Sequence, residues 1–219
     1  MRICVAGAPE LRKSTFISDF IKKWPMYKSG SESYQAHLTG TFKKGKRSNK
    51  KLQKELLDLQ VESIRKHGKS DNVIFDGSPL DNFAHTLWLM GNEKGSVDDD
   101  YMAEALSKIK TSMSFIDVIF FIPITKNARD VVREDTTFSY EIDNLLKAVK
   151  YDWLANAQSK IFDVNDRPVV IDVFGEPDER IAIADLYITE TGDPYGDVSI
   201  ITDEDLKIAE SLKAIKPKQ

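Results

Sequence analysis

Cysteine is almost missing from this 219-residue chain, Cys4 being the sole example. No disulfide framework can form within it, and a reducing, cytoplasmic setting is the expectation. Long hydrophobic runs are missing too. Nothing approaches the roughly 20 apolar residues that cross a bilayer, so no membrane partner is expected. The first residues lack the basic, apolar and small-residue order of a secretory signal, and strand-forming residues begin at Arg2. Histidine is scarce: His37, His67 and His85 have no ligand spacing, which argues against a histidine metal centre. His85, near Trp88 on one helix, is expected to pack or to lie at the surface. Internal repeats and low-complexity tracts are absent as well.

What is present describes an ordinary globular protein, 41% hydrophobic and 30% charged, with length for one substantial core. The net charge of −4 conceals an asymmetry. Residues 43–54 hold seven positive charges and no negative one, set against a remainder of net −11. Such a patch attracts a polyanion without making the whole chain a general nucleic-acid binder.

Apolar runs at 2–6, 72–76, 117–122 and 168–174 predict strands, with a shorter one near Tyr27. Helices are predicted over 13–24, stopped by Pro25, and over 51–66, where Leu52, Leu56, Leu59 and Ile64 recur. Further helices are expected over 80–90, 101–113, 140–160 and 178–187, with short ones around Tyr34 and over 203–214. Strands that are nearly all apolar are covered on both faces, which implies an α/β fold with a parallel sheet between helices. One domain is expected over 1–190, with a basic excursion at 41–54, a second at 125–137, and a C-terminal extension over 191–219.

The most informative stretch joins the first strand to the first helix. Gly7-Ala8-Pro9-Glu10-Leu11-Arg12-Lys13-Ser14 follows the outline G-x-x-x-x-G-K-[ST], with Arg12 in place of the second glycine. Gly7 permits a tight turn, and backbone N–H groups from Ala8 to Ser14 are expected to face phosphate oxygens. Lys13 neutralises such oxygens, the Ser14 hydroxyl suits Mg²⁺, and Thr15 sits one step inside the helix. Asp76 closes an apolar strand, a position from which a carboxylate holds Mg²⁺ or accepts a proton from a nucleophilic hydroxyl. Ser78 and Asp81, just beyond it, suit either a helix cap or an acceptor contact.

Four blocks carry a resemblance: residues 7–15, 72–89, 117–125 and 170–180. On them the chain resembles the nucleoside and nucleotide kinase-like branch of P-loop proteins. It is most similar to small phage ATPase/kinase proteins related to nicotinamide riboside kinases. The resemblance implies an ATP- and Mg²⁺-dependent phosphotransferase with a three-layer fold, a five-stranded parallel sheet flanked by helices and a lid segment. It also implies an adenine-facing loop after the last strand, here Gly175, Glu176 and Pro177. The lid would lie at 125–137, with Arg129 and Arg133 stabilising charge on the transferred group.

The chain departs from that pattern at several points. Gly77 stands where the family has an arginine, giving Asp76-Gly77-Ser78-Pro79, and Tyr34-Gln35 replaces a Tyr-Arg pair of the acceptor region. Altered acceptor positions beside a gained basic run imply a larger, more anionic acceptor, such as a hydroxymethylated pyrimidine (5-hydroxymethyluracil) within phage DNA. Lys43, Lys44, Lys46, Arg47, Lys50 and Lys51 would then meet backbone phosphates, and Phe42 would stack on a base. The rival expectation is a nucleotide-binding regulatory protein that has lost catalysis. Either a monomer or a homodimer is compatible with the sequence.

Overall fold

The computed structural model describes residues 1–30, 49–68, 70–92, 97–125, 136–155 and 168–195. Within them lie five strands: β1 (Arg2–Gly7), β2 (Lys28–Ser29), β3 (Val73–Asp76), β4 (Val118–Ile122) and β5 (Val169–Asp172). Six helices accompany them: α1 (Lys13–Lys23), α2 (Lys50–Arg65), α3 (Pro79–Asn92), α4 (Asp99–Met113), α5 (Thr136–Ala155) and α6 (Pro177–Asp185). Several expectations fall outside the described residues: the short helices near Tyr34 and over 203–214, the Tyr34-Gln35 pair, and Phe42. Lys43, Lys44, Lys46, Arg47, Arg129 and Arg133 fall outside them too, as does the end of the 140–160 helix.

The strands form one all-parallel sheet in the order β2-β3-β1-β4-β5. Every residue of β1 and β4 is buried, as strands covered on both faces must be. β-branched and aromatic side chains fill β4 (Val-Ile-Phe-Phe-Ile), which suits a pleated surface packed on each side. The expected two-sided burial therefore holds for β1, β3 and β4, whereas the edge strands β2 and β5 are exposed and half-buried, and the sheet is parallel as the apolar strands implied.

Helix α1 shows how local sequence places the core. Phe16, Ile17 and Phe20 recur at helical spacing and are buried. Phe16 meets Phe120 of β4 edge-on at 5.5 Å, and Phe20 touches Trp24 at 4.5 Å and Tyr27 at 5.1 Å. The helix stops at Lys23, one residue short of the expected end: Trp24 N donates to Phe20 O, and Pro25 cannot extend the ladder. Trp24 is thus a core residue whose Nε1 donates to Thr189 O. The strand expected near Tyr27 is a two-residue edge, Lys28 and Ser29 against Val73 and Ile74.

Exposed ion pairs flank the apolar contact between helices α2 and α4. Asn49 caps α2 by accepting from Leu52 N at 3.0 Å, and Asp98 caps α4 by accepting from Tyr101 N at 2.8 Å. Lys50 pairs with Asp98, Lys54 with Glu104 at 2.9 Å, and Lys108 with Asp58 at 2.6 Å. Part of the basic run is therefore spent on packing one helix against another.

Candidate functional site

The carboxyl ends of β1, β3 and β4 meet at one edge of the sheet, beside the strand from which the chain departs in both directions. That is where open α/β sheets bind ligands. Gly7 ends β1 so close to β4 that a Cβ there would lie 2.7 Å from Ile122 O. The turn that follows buries Ala8 and Leu11 and leaves Glu10 and Arg12 exposed. Both exposed residues are left-handed, Glu10 at φ 67° and Arg12 at φ 56°. Arg12 precedes the first turn of α1, where a glycine would adopt that conformation without a Cβ penalty.

Lys13 folds back over the turn, its Nζ donating to Gly7 O at 2.7 Å and to Ala8 O at 2.9 Å. Ser14 Oγ donates to Asp76 Oδ2 at 2.6 Å, so the start of α1 and the end of β3 share one oxygen-rich point. Among the described residues no three His, Cys, Asp or Glu side chains converge on a metal position. Mg²⁺ needs no such cage, because it takes one or two protein oxygens and fills its sphere with water and phosphate. Ser14 and Asp76 supply the hard oxygens that fit it.

Ser78 and Asp81 are fully internal. Asp81 Oδ1 accepts from Gly7 N at 2.9 Å, while Oδ2 accepts from Ser78 N at 2.6 Å and Ser78 Oγ at 2.7 Å. Together these bonds brace the β1 turn against the start of α3, which is the helix-cap role the sequence offered for the pair. Burial pushes the Asp81 carboxyl up, against the Lys13 charge and the bonds from Gly7 and Ser78, which pull it down. Gly77 takes φ 92°, so the position where the resemblance expects an arginine is a turn in the left-handed region.

One turn beyond Asp81 on the same face of α3 is His85, a residue expected only to pack or to lie at the surface. Its Nδ1 is buried and has no hydrogen-bond partner among the described residues. Burial, followed by the Lys13 charge, lowers its pKa to about 4. Phe138 of α5 lies 5.5 Å from its ring and meets Trp88 edge-on at 4.9 Å, while Trp88 Nε1 donates to Glu141 Oε2 at 2.6 Å. The end of β4 is pinned by α5: Asp143 Oδ1 accepts from Ile124 N at 2.9 Å, and Lys147 Nζ donates to Ile124 O at 3.1 Å.

Gly175, Glu176 and Pro177 border the phosphate-type turn through Arg180 of α6. Arg180 is 8% exposed; its Nε donates to Gly175 O at 2.9 Å and its Nη1 to Leu11 O at 2.8 Å. Glu176 N donates to Glu179 Oε2 at 2.9 Å, which holds the loop from the other side. Lys50 and Lys51, at the start of α2, have partners of their own. Lys50 is held by Asp98 and lies over the Tyr101 ring, and Lys51 is 88% exposed, 4.0 Å from Glu55 one turn along its own helix.

Sequence reasoning did not single out Arg180, although a cation one turn into α6, after a Gly-Glu-Pro turn, was available as a signal. No family model and no curated protein matches the sequence. Solved structures do match. A NadR protein in complex with NR aligns with TM-score 0.55 at 12% identity, over 84% of this chain and 49% of that one. The chain therefore spans about half the length of that NadR protein. A thymidylate kinase from Candida albicans aligns with TM-score 0.51 at 14% identity, over 97% of this chain and 92% of that one. At such identities the likeness is one of fold: a five-stranded parallel sheet flanked by helices.

Proposed function

We propose that the chain is a phosphotransferase moving the γ-phosphoryl of ATP to a hydroxyl of a pyrimidine-type nucleoside or nucleotide. One observation carries the reading: the Ser14–Asp76 pair lies at the foot of a turn that bears Lys13, at the joined ends of β1 and β3. Loop amides and Lys13 would hold the phosphates, Ser14 would hold Mg²⁺ directly and Asp76 through a bound water, and the ion would supply positive charge to the phosphate oxygens. The acceptor oxygen forms a bond to the γ-phosphorus as the bond to the β-phosphate oxygen breaks. ADP leaves, and the hydroxyl proton passes to Asp76 or to solvent. Arg129 and Arg133 supply further positive charge toward the transferred group.

The fold likeness to a thymidylate kinase supports this reaction class. Catalysis of this kind is positioning and charge stabilisation. Lys13→Ala should therefore slow transfer by about a hundredfold or more while the protein stays folded. ADP release with nucleosides, nucleotides and hydroxymethylated DNA as acceptors measures it. Parental rates in Lys13→Ala would overturn the assignment, and triphosphate binding without acceptor-dependent ADP release would favour a regulatory protein.

The basic run supports an acceptor already within DNA. If DNA is the acceptor, neutralising Lys43, Lys44, Lys46 and Arg47 lowers activity on DNA and flattens its salt dependence, while a free nucleoside is phosphorylated as before. Equal loss on both acceptors would reject the DNA branch.

A further inference from the structure

Two residues of the phosphate-type turn, Glu10 and Arg12, sit in the left-handed region without being glycine. Such a conformation persists only where the surroundings over-determine it. The residue between them shows what does so. Leu11 is buried to 1% exposure, and its carbonyl accepts from Arg180 Nη1, a contact across 169 residues of sequence. The same guanidinium uses Nε to hold Gly175 O, so one planar, two-armed cation bolts the crest of the turn to the loop after β5. Arg180 is itself immobilised by burial, and a charged donor makes each of these bonds stronger than a neutral one.

We infer that Arg180 is a positioning residue: its clamp on Leu11 keeps the turn in its anion-binding shape with arginine at the glycine position. This rests on the phosphate-binding reading of the turn proposed above, and it goes beyond it by naming what enforces the shape. The clamp and Arg12 are thereby coupled. With glycine at position 12 the left-handed conformation costs little, and the clamp becomes dispensable.

A double-mutant cycle on the full chain tests it, with Arg180→Met, Arg12→Gly and the double variant. The first readout needs no ligand: hydrogen exchange at the backbone amides of residues 10–14, beside the thermal midpoint. The second is affinity for ATP and for inorganic tripolyphosphate. Arg180→Met should speed exchange in the turn and weaken both ligands about tenfold or more. Adding Arg12→Gly should restore most of the protection and of the affinity. Arg180→Lys, which can reach one carbonyl but not both, should fall between and serves if Arg180→Met does not fold. Unchanged exchange in Arg180→Met or Arg180→Lys, or losses that Arg12→Gly leaves untouched, would overturn the inference. If the parental chain binds neither ligand, the phosphate reading fails, while the exchange cycle still decides the clamp.

Discussion

Arg12 is the residue at which local preference and tertiary demand conflict. A non-glycine residue at φ 56° costs about 1–2 kcal/mol, part of which glycine returns through its freer unfolded chain. Arg12→Gly should therefore stabilise the protein by roughly 0.5–1 kcal/mol in urea unfolding. Asp81 poses the opposite case, a buried carboxylate with both oxygens accepting. Asp81→Asn removes a buried charge yet turns an amide N–H toward Gly7 N or Ser78 N. It should destabilise by about 1–3 kcal/mol, because a buried donor is left facing a donor. His85 sets a pH dependence. The folded state holds it neutral to about pH 4, whereas the unfolded chain protonates near its ordinary 6.5. Its contribution is complete above pH 6.5 and declines as pH falls toward 4, by roughly 2–3 kcal/mol in all. Chemical unfolding of parent and His85→Gln at pH 7 and pH 4.5 reads this out; the variant should lose less stability on acidification.

Elements were legible to within a few residues where burial and backbone agree. Helix α1 was expected over 13–24 and occupies Lys13–Lys23, because Pro25 and the apolar spacing of Phe16, Ile17 and Phe20 act locally. Helix α3 extends to Asn92, past the expected end at 90: a glycine is tolerated inside a helix at modest cost, and Asn92 Nδ2 donates to Trp88 O at 3.0 Å. The brevity of β2 was not legible, since its length is set by pairing alone: Lys28 and Ser29 meet Val73 and Ile74, while β3 runs on to Asp76. The close approach of β1 and β4 sets a further expectation. A methyl at Gly7 would lie 2.7 Å from Ile122 O, a backbone atom that cannot turn aside. Gly7→Ala should cost about 1–3 kcal/mol in thermal or urea unfolding and displace the turn. The destination of the basic residues on α2 was equally hidden. A charge run looks alike in sequence whether it meets nucleic acid or a neighbouring helix, and here Lys50 and Lys54 meet α4.

Across the whole molecule, the layered α/β architecture followed from local pattern: strands apolar on both faces require helices on both faces. The chain also closes on itself far from the sheet edge that bears the site. Tyr27 OH donates to Gly192 O at 2.6 Å and Trp24 Nε1 to Thr189 O, fixing residues 187–195 against the end of α1. Tyr27→Phe should cost about 1–2 kcal/mol of stability and leave the turn at residues 7–14 unchanged, as urea unfolding and exchange at those amides would report. Composition, apolar periodicity and the glycine-to-lysine spacing determined the strand–turn–helix start, the class of fold and the pairing of Lys13 and Ser14 in one turn. These depend on neighbours a few residues apart, whose geometry the backbone dictates. Tertiary structure alone decided that Asp81 braces Gly7, that His85 keeps a buried nitrogen beside Phe138, and that Arg180 grips Leu11. Those contacts join atoms whose separation along the chain says nothing of their distance in space, and only the packed sheet brings them within a hydrogen bond or a ring contact.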